Sequence, residues 1–314
     1  MMSGGRYAFA NARARALKSR LLSRRVSGDL AALADERFRT LVDGYATLIA
    51  AYPIGQALLF ALVRLHEIEN LKLAWRAMVR SVPPGRWLPY WIPLGPLATL
   101  DADSCRDCRS LRALADALPR TPYQGISDAM RRAHAQDAAA AELGFDRWAS
   151  RAVLDAARSL PARESLAHDL AIALVRERDL NLVQRAARTY TLPPDAMKGA
   201  VAYLQSEIGA AGVLALGQWS PEEGPLWTQL PRRWLRSVGR VPDWNALMLA
   251  WRKVRRDQCR RAFLAPPFCL APGLAVLLLH EEDVRALQAL SEPGDGREPA
   301  TAVEGVLAAG GLGA

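Results

Sequence analysis

Three stretches of the chain place a glutamate two positions before a second acid: Glu67-Ile68-Glu69, Glu177-Arg178-Asp179 and Glu281-Glu282-Asp283. Each follows an apolar run, Ala57 to Val63, Leu170 to Val175 and Leu274 to Leu279. A carboxylate on an apolar stripe is half-buried, so it has two uses. It can carry a proton or a metal ion, or it can be neutralised by a partner inside the fold. The second use has partners at hand in the arginine-rich stretches Arg13 to Arg25 and Arg252 to Arg261. Glu67, Glu177 and Glu281 are each expected to meet an arginine, a lysine or a backbone donor.

Other residue types capable of chemistry lack the company they need. Cys105-Arg106-Asp107-Cys108 is a lone C-x-x-C. Zinc requires two further ligands at short spacing, whereas Cys259, Cys269, His66, His134, His168 and His280 are scattered. A redox role requires a βαβ context. The pair is therefore expected as two thiols in a loop or short helix. No phosphate-binding loop, no dinucleotide glycine motif and no serine nucleophile elbow occur in the chain. Catalytic residues, cofactor and metal are accordingly all expected to be none. Arg232, Arg233, Trp234 and Arg236, with Trp251, Arg252, Lys253, Arg255 and Arg256, interleave bases and tryptophans. That pattern fits RNA stacking or, without an RNA-binding signature, buried tryptophans flanked by arginines.

The elements that carry these residues are helical. Leu58, Leu62, Leu65, Ile68, Leu71, Trp75 and Met78 fall three or four apart. Leu180, Val183, Ala187 and Tyr190 do the same, as do Leu274, Leu277, Val284, Leu287 and Leu290 with Glu281 inside the stripe. Pro83-Pro84 and Pro193-Pro194 follow their glutamates at the same offset and are expected to stop the first two helices. Phe38, Trp148 and Trp251 precede the three glutamates at nearly equal distances. A period of roughly 100 residues exceeds that of common helix-pair repeats and points to duplicated helical bundles. The expected division is 1–104, 105–210 and 211–290, followed by a glycine-rich flexible tail, 291–314. Three such bundles can stand about a pseudo-threefold axis around a concavity.

Composition agrees. The 314 residues are 51% apolar and 23% charged, ordinary for a globular chain and unlike a disordered one. Alanine, leucine and arginine dominate, which favours helix. Four cysteines are too few for a disulfide scaffold. Residues 1–7 have no apolar run of a secretory signal, so a reduced, cytosolic setting is expected. Two uncharged stretches, Gly44 to Val63 and Ala262 to Leu279, approach the length of a membrane span. Pro53, Gly55 and Gln56 interrupt the first; Pro266, Pro267, Pro272 and Gly273 interrupt the second. Both read as pairs of shorter buried helices. Pro83 to Pro96, with Trp87, Tyr90 and Trp91, reads as a rigid connector packed by its own aromatics or facing a partner or membrane. The net charge of +9 suits an acidic partner or an anionic surface.

The opening stretch carries Tyr7, then Asn11-Ala12-Arg13-Ala14-Arg15, then Ser19-Arg20-Leu21-Leu22. It resembles the first helix of the C-type subunits of archaeal and bacterial A/V-type rotary ATPases, whose counterparts in the eukaryotic vacuolar enzyme are the d-type subunits. Glu67-Ile68-Glu69-Asn70-Leu71-Lys72 resembles the acid-Asn-Leu-basic segment of that family's first repeat, and Glu177-Arg178-Asp179-Leu180-Asn181-Leu182 resembles the corresponding segment of the second. The third copy, Glu281-Glu282-Asp283-Val284-Arg285, has no asparagine. The resemblance covers most of residues 6–290. It implies an all-α funnel of three domains and a non-catalytic rotor adaptor. Its implied partners are the central-stalk subunits and the proteolipid rotor ring, with no nucleic acid. Its implied place is the cytoplasmic face of a membrane, held peripherally through the ring. A helical scaffold or a basic nucleic-acid-binding protein is the alternative.

Overall fold

A computed structural model describes residues 30–108, 110–118, 121–127, 138–188, 197, 201–266 and 268–291. Among these the fold is all-α, with no strand. The opening motif of Tyr7, Asn11, Arg13, Arg15 and Ser19 lies outside the described residues. So do His134, Tyr190, Pro193-Pro194 and the tail beyond Ser291.

The long helices are α1 (Leu30–Ala51), α2 (Gln56–Val79), α5 (Ala138–Arg158), α6 (Ser165–Arg188), α9 (Trp244–Ala262) and α10 (Ala271–Ser291). Shorter ones are α3 (Ala102–Asp107), α4 (Leu111–Ala117), α7 (Leu204–Gln218) and α8 (Arg232–Val238). α7 is broken at Gly209, whose φ of 75° is left-handed backbone. No single helix among the described residues is long and apolar enough to cross a bilayer. Both uncharged stretches are broken, but Pro272 and Gly273, expected among the interruptions, lie in the first turn of α10 instead. A single turn, Pro53–Gly55, separates α1 from α2, and the irregular residues before Ala271 separate α9 from α10.

The contacts divide the chain into two compact units, one joining residues up to Gln56 with those from Cys259 onward, the other being Ala57–Gln258. The lines expected from the repeats, 1–104, 105–210 and 211–290, rest on sequence spacing, whereas this division rests on contacts.

In the first unit α1 and α10 lie antiparallel and very close. A Cβ at Gly44 would sit 2.8 Å from Leu277, and one at Gly273 would sit 2.8 Å from Leu48. The absent side chains let leucines of each helix fill the other's groove. Leu41, Leu48, Leu274 and Leu277 are buried there.

In the second unit the stripe of α2 is buried as the periodicity predicts, through Leu58, Leu62, Leu65, Ile68, Leu71 and Trp75. Trp75 meets Phe145 of α5 edge to face at 5.5 Å. A second cluster gathers Leu180 and Val183 of α6, Val213 and Leu216 of α7, Trp234 of α8, and Trp244, Leu247 and Trp251 of α9. Trp234 and Trp251 are 2% and 5% exposed and pack edge to face at 5.3 Å. Their faces are used inside the protein, as the core-packing reading of the basic, tryptophan-bearing stretch expects.

α2 stops as a helix does before proline. The Val82 N–H reaches the Ala77 carbonyl and the Ser81 N–H reaches Met78, with Ser81 left-handed at φ 53°. This is the Schellman arrangement, which satisfies the last carbonyls before Pro83.

Candidate functional site

The acids singled out by the sequence lie on the long helices, and most are turned inward. Glu67 is 1% exposed on α2. Its carboxylate accepts the Leu100 N–H and the Tyr123 hydroxyl, both at 2.6 Å, together with the N–H and hydroxyl of Thr99. Four neutral donors thus replace the water a buried carboxylate would lose. Burial, then the neighbouring Glu67 charge, pushes the Tyr123 phenol up. One helical turn on, Asn70 makes a peptide-like pair with Ile92, donating to its carbonyl at 2.9 Å and accepting its N–H at 2.7 Å. Asn70 therefore pins the proline-rich connector at Ile92, and Glu67 pins the chain just beyond it at Thr99 and Leu100. Within that connector are only single turns, Pro84–Trp87, Leu88–Tyr90 and Gly95–Leu97. Trp87 packs beneath it against Trp91, while Tyr90 is 74% exposed.

Glu69 faces elsewhere. It accepts from Lys72 Nζ at 2.8 Å, and Lys72, 1% exposed, also donates to both oxygens of Asp146 at 2.9 and 3.1 Å. Arg178 and Arg185 of α6 approach the same Asp146 at 3.3 and 3.5 Å. Arg76 grips Glu142 through two nitrogens. The result is a charged seam joining α2, α5 and α6. Burial pushes the Glu69 carboxyl up, but Lys72, Arg178 and Arg76 outweigh it and hold the group below its usual range.

On α6 the two acids of the second motif have separate tasks. Glu177 pairs with Arg252 at 3.2 Å and Arg255 at 3.3 Å, both from α9. Asp179 is fully buried and accepts the N–H groups of Ala202, Tyr203 and Leu204 at 3.0, 2.6 and 2.9 Å. These are the orphan donors at the start of α7, whose own N-cap residue Tyr203 gives no side-chain bond. Asp179 supplies the cap from another helix. Burial drives its carboxyl up despite those three donors. Asn181 donates to the Glu177 carbonyl in its own helix and, unlike Asn70, reaches no connector. In the third motif, Glu281 is 3% exposed and pairs with Arg285 one turn along α10. Asp283 is half-buried. All three glutamates thus meet donors, as expected from their place on apolar stripes.

Sequence reading missed the partners that finish this framework. Arg176 makes a two-bonded pair with Glu207 at 2.8 and 2.9 Å, with its guanidinium over Trp251 at 4.6 Å and Tyr203 at 5.6 Å. Lys72, between Leu71 and Leu73 in the stripe, was the one visible signal of the seam: a cation there needs a buried anion.

Cys105 and Cys108 stand on α3 and just after it, a short helix capped by Asp101, which accepts from the Asp103 and Ser104 N–H groups. Burial pushes the Cys105 thiol up to about 12, far from thiolate reactivity. Among the described residues no group of histidines, cysteines and carboxylates is arranged to hold a metal ion. Chemically, then, the motif acids accept from fixed donors and tie segments distant in sequence to a few long helices. No protein-family model and no curated protein sequence matches the chain.

Proposed function

We propose that this chain is a non-catalytic adaptor of the central rotor in a V/A-type rotary ATPase, coupling the central stalk to the proteolipid ring. The observation that carries the reading is the repeated use of the Glu-x-acid element. In the first copy Glu67 holds residues 99–100 ahead of α3; in the second Asp179 holds residues 202–204 at the start of α7. In the first two copies an acid thus performs the same task, fixing the segment that follows its long helix. Such reuse fits duplicated bundles, and with them the funnel of three similar domains that the opening motif implies. Torque transmission calls for a body that does not yield. Close-packed helices cross-tied by buried ion pairs meet that need, whereas a reactive centre adds nothing to it. The net charge of +9 suits an acidic stalk foot or the headgroup side of a ring. In this reading the chain sits peripherally at the cytoplasmic face of the membrane and moves ions only through its partners.

The test is co-isolation. Tagged full chain recovered from native membranes in mild detergent should bring down stalk subunits and a proteolipid ring in fixed ratio. Recovery of the chain alone, or with nucleic acid, overturns the proposal.

A further inference from the structure

We propose that one end of the α1–α10 pair dips into the surface of an anionic phospholipid bilayer. This end is built from two chain breaks. One is the turn Pro53–Gly55 after α1; the other is the irregular stretch before α10, whose described residues include Phe263–Pro266 and Phe268–Leu270. They lie side by side, because a Cβ at Gly55 would stand 2.6 Å from Leu270. Large apolar side chains emerge from both: Ile54 is 44% exposed, Leu264 87% and Phe268 57%. Pro53 and Pro266 are exposed among them. Elsewhere the described surface bares such residues singly, at Tyr90, Leu166 and Leu249.

The sequence holds no aspartate, glutamate, lysine, arginine or histidine from Gly44 to Val63 or from Ala262 to Leu279. The nearest charges along α9 are Arg260 and Arg261, both exposed, in the helix turn just before Leu264. Apolar side chains beyond a pair of arginines, with no carboxylate in either stretch, match the order of a lipid leaflet, anionic headgroups outside and acyl chains within. Prolines in both breaks stiffen the projecting backbone, so little conformational freedom is lost on insertion. The proposal does not rest on the adaptor reading.

The experiment is vesicle co-sedimentation of the full chain at low and high salt. Vesicles of phosphatidylcholine alone are compared with phosphatidylcholine mixed with phosphatidylglycerol. Binding is expected only to the mixed vesicles. Replacing Arg261→Gln should weaken it about fivefold, the change that ~1 kcal/mol per headgroup contact converts to. The double variant Leu264→Ser/Phe268→Ser should weaken it at least about tenfold with an unchanged melting temperature, since both side chains project from the protein. A tryptophan placed by Leu264→Trp should shift its emission to the blue on mixed vesicles. Absent binding, equal binding to both vesicles, or full binding by Leu264→Ser/Phe268→Ser overturns the proposal. So does a Leu264→Ser/Phe268→Ser chain that keeps vesicle binding but loses a protein partner from membrane extracts, which assigns the patch to that protein. Ring co-isolation is a separate measurement, so either idea can fail alone.

Discussion

A carboxylate taken out of water is tolerated only where donors replace the water, and Glu67 has four. Glu67→Gln keeps the shape but leaves one accepting oxygen and points an NH2 group at existing donors. The expected cost is about 1–3 kcal/mol, read as a lowered thermal midpoint of the full chain; an unchanged midpoint contradicts the clamp. His280 presents the opposite problem. It is 1% exposed on α10, and burial, then the Arg37 charge, pushes its imidazole down to about 4. The folded ring therefore stays neutral where the unfolded ring, near 6.5, already binds a proton. The stability tied to this ring is whole above pH 6.5 and is lost as pH falls toward 4, to an order of ~3 kcal/mol. Urea midpoints followed across that range should fall in the parent, and His280→Leu should flatten this part of the profile.

At the scale of elements, helix ends and joints decide the result. Ser81 occupies the left-handed cap of α2, where a side chain is strained. Ser81→Gly should raise stability by ~1 kcal/mol, measured as a higher urea midpoint; a loss would show that the serine is there for another reason. The helices themselves were legible in the sequence, because leucines three and four apart can only be buried together on a helix. So was the pairing of Glu67, Glu177 and Glu281, since an acid on such a stripe must find donors. Their partners were not. Lys72 finds Asp146, and Glu67 finds Thr99, Leu100 and Tyr123, across stretches that no local period encodes. The capping of α7 by Asp179 was hidden for the same reason. Asn70 and Asn181, both in motif segments, are used differently: the first pins Ile92, the second bonds its own helix. A serine at a glycine position gave no sign that α2 would close with a Schellman turn.

On the scale of the whole molecule, one compact unit is made from two distant stretches, with α1 and α10 at its centre. Their approach depends on missing side chains. Gly44→Val should force Leu277 aside and cost about 1–3 kcal/mol. Hydrogen exchange should then quicken in both helices together, since each is the other's cover. A chain ended after Gln258 should keep the protection of α2, α5 and α6 and lose that of α1, whereas a protected α1 would show that it holds without α10. The same arrangement imposes an order on birth. A ribosome extends the chain by ~5–20 residues per second, so the leucine face of α1 waits on the order of ten to forty seconds for its cover while Ala57–Gln258 is still being made. Among the described residues the earliest long helix is thus the last to be sheltered, and the newborn polypeptide is most in need of a chaperone before α10 emerges.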